Sequence, residues 1–282
     1  MRSSLLVLSF LFATLTFAQT KSFMPENDLD KQDGLFDNGM TEQMFNYIIE
    51  EVENYYKPIV SDLGGNLYIE RNWKDNTVNA YASREGSNTY KVAMFGGLAR
   101  RAEVTPDGFA MVVCHELGHH ISGFPFVSDW AANEGQSDYF AMQACAKNLW
   151  QNQVEKNEDA AKKLDPIAKK LCDDYVGRED LNLCYREMAA GYSLANLLGS
   201  LNGQKINFAT PDKTIVKKTY NQHPKAQCRL DTYVAGTLCS IKWNDALVPE
   251  SEQESAKYLC TNGSSTDYDI QARPRCWFKP SI

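Results

Sequence analysis

The sequence is poor in histidine, in basic clusters and in long apolar runs, and each shortage narrows what the chain can do. Only four of its 282 residues are histidine. Beyond residue 18 no segment is apolar for the roughly 20 residues that a membrane-spanning helix needs, so the mature chain is expected to be soluble, without stable membrane insertion. Formal charge is −7, and −8 once Arg2 leaves with a leader, and the basic residues gather in nothing longer than short pairs such as Arg100-Arg101. That balance argues against nucleic acid as a partner. No CxxC pair occurs among the eight cysteines, Cys114, Cys145, Cys172, Cys184, Cys228, Cys239, Cys260 and Cys276. An even set without that pair points to disulfides in an oxidising compartment rather than to a thiolate metal site.

What is present starts with a leader. MRSSLLVLSFLFATLTFAQT has a basic start, an apolar run over 5–17, and small residues Thr16 and Ala18 before a cut at Gln19. The pattern is that of a signal peptide over 1–18, and the run is short for a membrane anchor. A secreted or periplasmic address follows, and with 43% apolar residues the remainder can build a core. Local spacing pairs Cys172 with Cys184, Cys228 with Cys239, and Cys260 with Cys276.

After a polar stretch to about Asn38, Thr41 caps a helix whose apolar residues Phe45, Ile48, Ile49, Val52 and Tyr56 recur at three- and four-residue steps. Strands are expected over 67–73, 77–84 and 90–97, rich in aromatic and β-branched residues. Thr105-Pro106 opens a second helix with the stripe Phe109, Val113, Leu117 and Ile121, stopped by Gly123 and Pro125. A third helix is expected from Ser128 or Asp129 to Trp150, with others over 157–176, 181–202 and 223–240. The last forty residues read as irregular and pinned by cysteines. The expected fold class is α+β, mainly helical, with a small mixed sheet ahead of the second helix. The expected organisation is a single domain over 19–282, with a core over about 42–240 and a cysteine-rich C-terminal region over 241–282.

The second helix carries VVCHELGHHISG (112–123), with three of the four histidines. His115 and His119 are four residues apart, so both imidazoles lie on one face and can share an ion. A catalytic zinc needs a third protein ligand and an open position. The extended motif with a following glycine and third histidine fails, because Ser122 and Pro125 stand at those offsets. NEGQSD on the next helix offers Glu134 and Asp138 on one face instead. If two antiparallel helices meet there, His119 and Glu134 lie at similar depths, on the order of 5–8 Å from their connection. Glu134 is then the third ligand and Asp138 the acceptor that fixes a ligating imidazole's tautomer, with the swapped assignment as the alternative. Glu116 is turned about 100° from the ligands, which suits a base acting on metal-activated water. His120 points away from their face and reads as structural or solvent-facing. Cys145 lies about three turns past Glu134 on roughly the same face, where a bond to Cys114 would tie the two metal helices together.

These residues resemble the gluzincin metallopeptidases, and within them the CaaX prenyl protease and HtpX-type family in its soluble branch. The resemblance rests on VNAYASR followed by VAMFGGL, on HELGH with Glu134 and Asp138, and on HPKAQCRL from His223 to Leu230. It implies a zinc-dependent endopeptidase whose partner is a protein or peptide substrate. The strand at Asn79, Ala80, Tyr81 and Ala82 would be a sheet edge that pairs with an extended substrate. His223 would stabilise the oxyanion and Arg229 would pair with a carboxylate. Two other readings compete, a zinc-stabilised chaperone or assembly factor that holds chains without cutting them, and a hydrolase of cell-wall peptide crosslinks.

Overall fold

The computed structural model describes residues 20–32, 38–86, 88–260 and 269–281, so the expected signal peptide lies outside the described residues. One mixed sheet holds Thr20–Ser22 (β1), Asn66–Asn72 (β2), Ala80–Glu85 (β3) and Thr89–Phe95 (β4), in the order β1-β3-β4-β2. β3 and β4 pair antiparallel, and β2 lies parallel to β4. Alternation puts Leu67, Ile69, Val92 and Met94 in the core. The three expected strands are therefore present, each shifted by no more than three residues. β1 was not among them, since three residues are too few to show a period.

The α1 helix, Glu42–Asp62, is capped by the Thr41 hydroxyl, which accepts from Met44 N, and it buries the stripe that runs from Phe45 through Val60. After a short turn of helix, Gly96–Ala99 (α2), comes Pro106–Ile121 (α3), capped by Thr105 accepting from Gly108 N. All of α3 from Gly108 to Ile121 is buried, not just the stripe Phe109, Val113, Leu117, Ile121. It is the central helix of the molecule, packed against α1, the sheet and the helices that follow.

Glu134–Phe140 (α4) begins about five residues later than the sequence suggested. Ser128 Oγ accepts from Ala131 N in a local turn, and the cap is instead Asn133, whose side chain accepts from Gln136 N. The chain from Ser122 to Asn133 folds back as a loop, with Ala132 N donating to the His119 carbonyl and Asn133 N to that of Pro125. Glu134 therefore sits in the first turn of its helix rather than deeper. A Cβ on Gly118 would stand 3.1 Å from Ser137 Cα, so glycine is what lets α3 and α4 approach this closely. The helix runs on through a π-helical stretch, Ala141–Ala146, into Lys147–Trp150 (α5).

The expected helix over 157–176 is two, Val154–Ala160 (α6) and Pro166–Tyr175 (α7). Pro166 breaks it, because the residue before a proline avoids helical geometry, and Asp165 caps the new start. Leu181–Leu201 (α8) and Ala226–Leu238 (α9) lie where expected, and among the described residues of the C-terminal region the one helical element is a turn at Glu252–Ser255 (α10). One apolar cluster extends from Phe23 to Cys260, and Trp277 and Phe278 form a smaller one with Cys228 and Cys276. Among the described residues no helix is long and apolar enough to cross a membrane.

Four disulfides join Cys114–Cys145, Cys172–Cys184, Cys228–Cys276 and Cys239–Cys260. The first two agree with the sequence reading, and the other two correct it. Cys228 and Cys239 lie at opposite ends of α9, about 16 Å apart at 1.5 Å per residue. That is far beyond the roughly 7 Å limit for a disulfide, so each bonds a cysteine from the C-terminal region instead.

Peptide mapping without reduction should recover Cys228–Cys276 and Cys239–Cys260, and finding Cys228 bonded to Cys239 would contradict the fold. Replacing Cys114 and Cys145 together by alanine opens a closed loop of 31 residues. It should cost about 3–4 kcal/mol in denaturant unfolding.

Candidate metal centre

Because α3 is buried on all sides, its polar side chains must find partners inside the protein. His115 Nε2, His119 Nε2 and Glu134 Oε2 are buried without a hydrogen-bond partner. They nevertheless converge: the ligand atoms of these three residues lie within 4.8 Å of one another. His115 Nε2 is 3.2 Å from Glu134 Oε2, and His119 Nε2 is 3.6 Å from Glu134 Oε1. A tetrahedral ion with bonds of 2.0–2.1 Å separates its ligand atoms by roughly 3.3 Å. Buried polar atoms left unpaired are costly, and one cation among these three would satisfy them all. The group could hold a metal ion.

The far side of each ring is held. His115 Nδ1 is 2.8 Å from Asp138 Oδ1, and His119 Nδ1 donates to the Ala132 carbonyl at 2.8 Å, with Ser137 Oγ at 3.1 Å. A proton fixed on Nδ1 leaves the Nε2 lone pair aimed at the ion. Asp138 is itself clamped by Arg229, with Nε on Oδ2 and Nη2 on Oδ1, both at 2.7 Å. Asp138 thus lies behind His115 and away from the ligand group, and Arg229 lies behind Asp138.

Electrostatics separate the two histidines. Without an ion, burial alone would lower His115, but Asp138 and Glu134 outweigh it and push the imidazole up to about 9, so an incoming cation would displace a proton from Nε2. Burial prevails at His119 and brings it down to about 4. At Glu134 burial is outweighed by the two imidazoles, which hold the carboxyl well below the usual range. Glu116 has both oxygens buried and unpaired, and burial raises it to about 8.

His223 stands at the rim, its Nε2 3.6 Å from Glu134 Oε2 and donating to the Ser22 carbonyl at 2.8 Å. The strand expected to be an exposed edge is not one. Tyr81 and Ala82 in β3 pair with Ser22 and Lys21 of β1. Phe23 N donates to the Ala80 carbonyl, and Asn79 Oδ1 accepts from Met24 N. β3 is thus an inner strand, because the chain's own N-terminal segment supplies the neighbour that backbone groups at an edge require.

His120 is structural and not solvent-facing, since it is 2% exposed. Its ring stacks between Tyr90 and Trp130, accepts from Arg84 Nε at Nδ1 and donates Nε2 to the Lys91 carbonyl. These contacts fasten α3 to β3 and β4. Arg84, Ser137 and the Ala132 carbonyl have nothing in their local pattern to mark them out, and only the fold brings them to these histidines. A second convergent group, Asp212, Cys228 and Cys276, makes no comparable centre because its two sulfurs are bonded to each other.

A divalent ion should bind with a stoichiometry of one per chain. Calorimetric titration should show Glu134→Ala losing that binding, and Asp138→Asn weakening it about 10–100-fold. Unchanged affinity in Glu134→Ala would place the ion elsewhere. In comparisons with known proteins, the chain matches no family model, no curated protein and no solved structure.

Proposed function

We propose that the protein is a secreted or periplasmic zinc-dependent endopeptidase, of the gluzincin kind that its motifs resemble. The observation that carries this is the convergence of three buried, unpaired ligand atoms beside Glu116, a buried carboxyl with neither oxygen bonded. Closed structural zinc sites use four protein ligands and need no base, whereas three ligands with a neighbouring carboxyl suit hydrolysis. Two imidazoles and a carboxylate favour zinc over the oxygen-seeking magnesium and calcium. The four disulfides are compatible with an oxidising compartment, and the leader pattern supports export.

When bound, zinc supplies Lewis acidity, drawing the pKa of water towards neutrality and polarising the carbonyl under attack. The chain's own groups do the rest. Glu116 accepts the proton of the attacking water and passes it to the amine nitrogen as the C–N bond breaks. His223, whose Nε2 already donates to a backbone carbonyl, donates to the carbonyl oxygen as that atom gains charge. Asp138 and Arg229 keep His115 aimed.

Cleavage of a denatured protein by the zinc-loaded chain tests this reading. Glu116→Gln should still bind one zinc but cut at least about 100-fold more slowly. Equal rates in the two proteins would remove Glu116 from the mechanism, and zinc binding without cleavage by any form would favour the chaperone reading.

A further inference from the structure

The segment covering β3 does more than close a sheet. β1 runs antiparallel to β3 with Thr20 opposite Ser83, Lys21 opposite Ala82 and Ser22 opposite Tyr81. The pairing continues past the strand: Phe23 N donates to the Ala80 carbonyl at 3.1 Å, while Asn79 takes Met24 N on Oδ1 and gives Nδ2 to the Met24 carbonyl. Backbone pairing to β3 thus alternates along the segment, through Lys21 opposite Ala82 and Phe23 opposite Ala80, and the Asn79 side chain holds Met24. A groove that accepts extended chains of varied sequence must hold them in this way.

The position along the groove is specific. The Ser22 carbonyl oxygen receives His223 Nε2 at 2.8 Å, and that nitrogen is 3.6 Å from Glu134 Oε2. The next carbonyl, that of Phe23, receives Arg229 Nη1 at 2.6 Å. The Phe23 ring meets His115 edge-on at 5.2 Å between centroids and lies 4.4 Å under the Arg229 guanidinium. Burial rises along the segment, from exposed Thr20 through half-buried Lys21 and Ser22 to fully buried Phe23. One carbonyl is therefore bonded to the histidine at the rim of the metal centre, and the side chain after it packs between His115 of α3 and Arg229 of α9.

We infer that Thr20–Met24 occupies the substrate groove as a built-in strand, with Ser22 carbonyl in the reacting position. The proposed peptidase reading supplies the identity of that groove. Two consequences follow. In the folded chain this strand competes with protein substrates for the groove, so wild-type cleavage is slowed rather than abolished. The groove then takes an extended peptide with a bulky apolar side chain, aromatic in this instance, immediately after the reacting carbonyl.

Lys21→Pro tests the inference in the full chain, because proline removes the N–H that an antiparallel partner of Ala82 donates. Binding of a fluorescent TKSFM peptide, read without added metal, should be at least tenfold tighter to Lys21→Pro than to the wild type. A TKSAM peptide should bind at least tenfold more weakly than TKSFM. With zinc, Lys21→Pro should cut denatured protein at least tenfold faster, and TKSFM should compete. Because a proline variant can misfold, the double variant Lys21→Gly with Ser22→Gly, which keeps every backbone N–H and loosens the strand while removing the Ser22 Oγ bond to the Met24 carbonyl, should change both readings in the same direction. Equal peptide affinity in wild type and both variants overturns the inference, and so does equal affinity for TKSFM and TKSAM. Wild-type cleavage as fast as that of the variants also overturns it, while leaving the peptidase reading intact. Tighter peptide binding with no cleavage by any form supports the occupied groove and removes the peptidase reading.

Discussion

The Asp138 carboxylate is the pivot of this molecule. It accepts from His115 Nδ1 on α3 and from two nitrogens of Arg229 on α9, so it ties three helices together at one buried point. Through Arg229 Nη1 the same network reaches the Phe23 carbonyl and holds the N-terminal segment. A buried ion pair is stabilising only when its geometry satisfies both partners, and here both carboxylate oxygens and three guanidinium nitrogens are engaged. Loss of one partner would leave the other charged and dry, a cost of about 3–5 kcal/mol. Asp138 therefore anchors the helices and, by the same bond, orients an imidazole of the group that could hold a metal ion.

Around that pivot the fold is restrained more tightly than packing alone requires. The Cys114–Cys145 disulfide joins the residue before His115 to the stretch that continues α4. His120, on the opposite side of α3, is locked between Tyr90 and Trp130 and bonded to both strands of the hairpin. Gly118 lets α3 and α4 close on each other between these two fastenings. A site that polarises a substrate gains from such rigidity, because its dipoles need not reorganise during reaction.

The parts of this arrangement governed by local spacing were legible in the sequence. Histidines four apart on a capped helix, and two carboxyls four apart on the next, announce a ligand group because helical geometry is local. The α+β fold class and most element positions follow from period and capping in the same way. What depended on distant partners was hidden. The start of α4 was misplaced because Ser128, Asp129 and Asn133 are all good caps, and only the return of the loop onto His119 selects Asn133. β1 escaped notice because its identity as a strand comes from β3, sixty residues away, and not from its own three residues. Two of the disulfides were paired by nearness in sequence, although an α-helix keeps Cys228 and Cys239 too far apart to bond.

The central claim is that His115, His119 and Glu134 bind one zinc while a position stays open for chemistry, with Asp138 and the cysteines outside the first coordination sphere. X-ray absorption at the zinc edge of the loaded chain tests it most directly. The account predicts four light-atom neighbours, two of them imidazole nitrogens, at about 2.0–2.1 Å. A sulfur neighbour near about 2.3 Å, or a six-coordinate shell of oxygens, would contradict it.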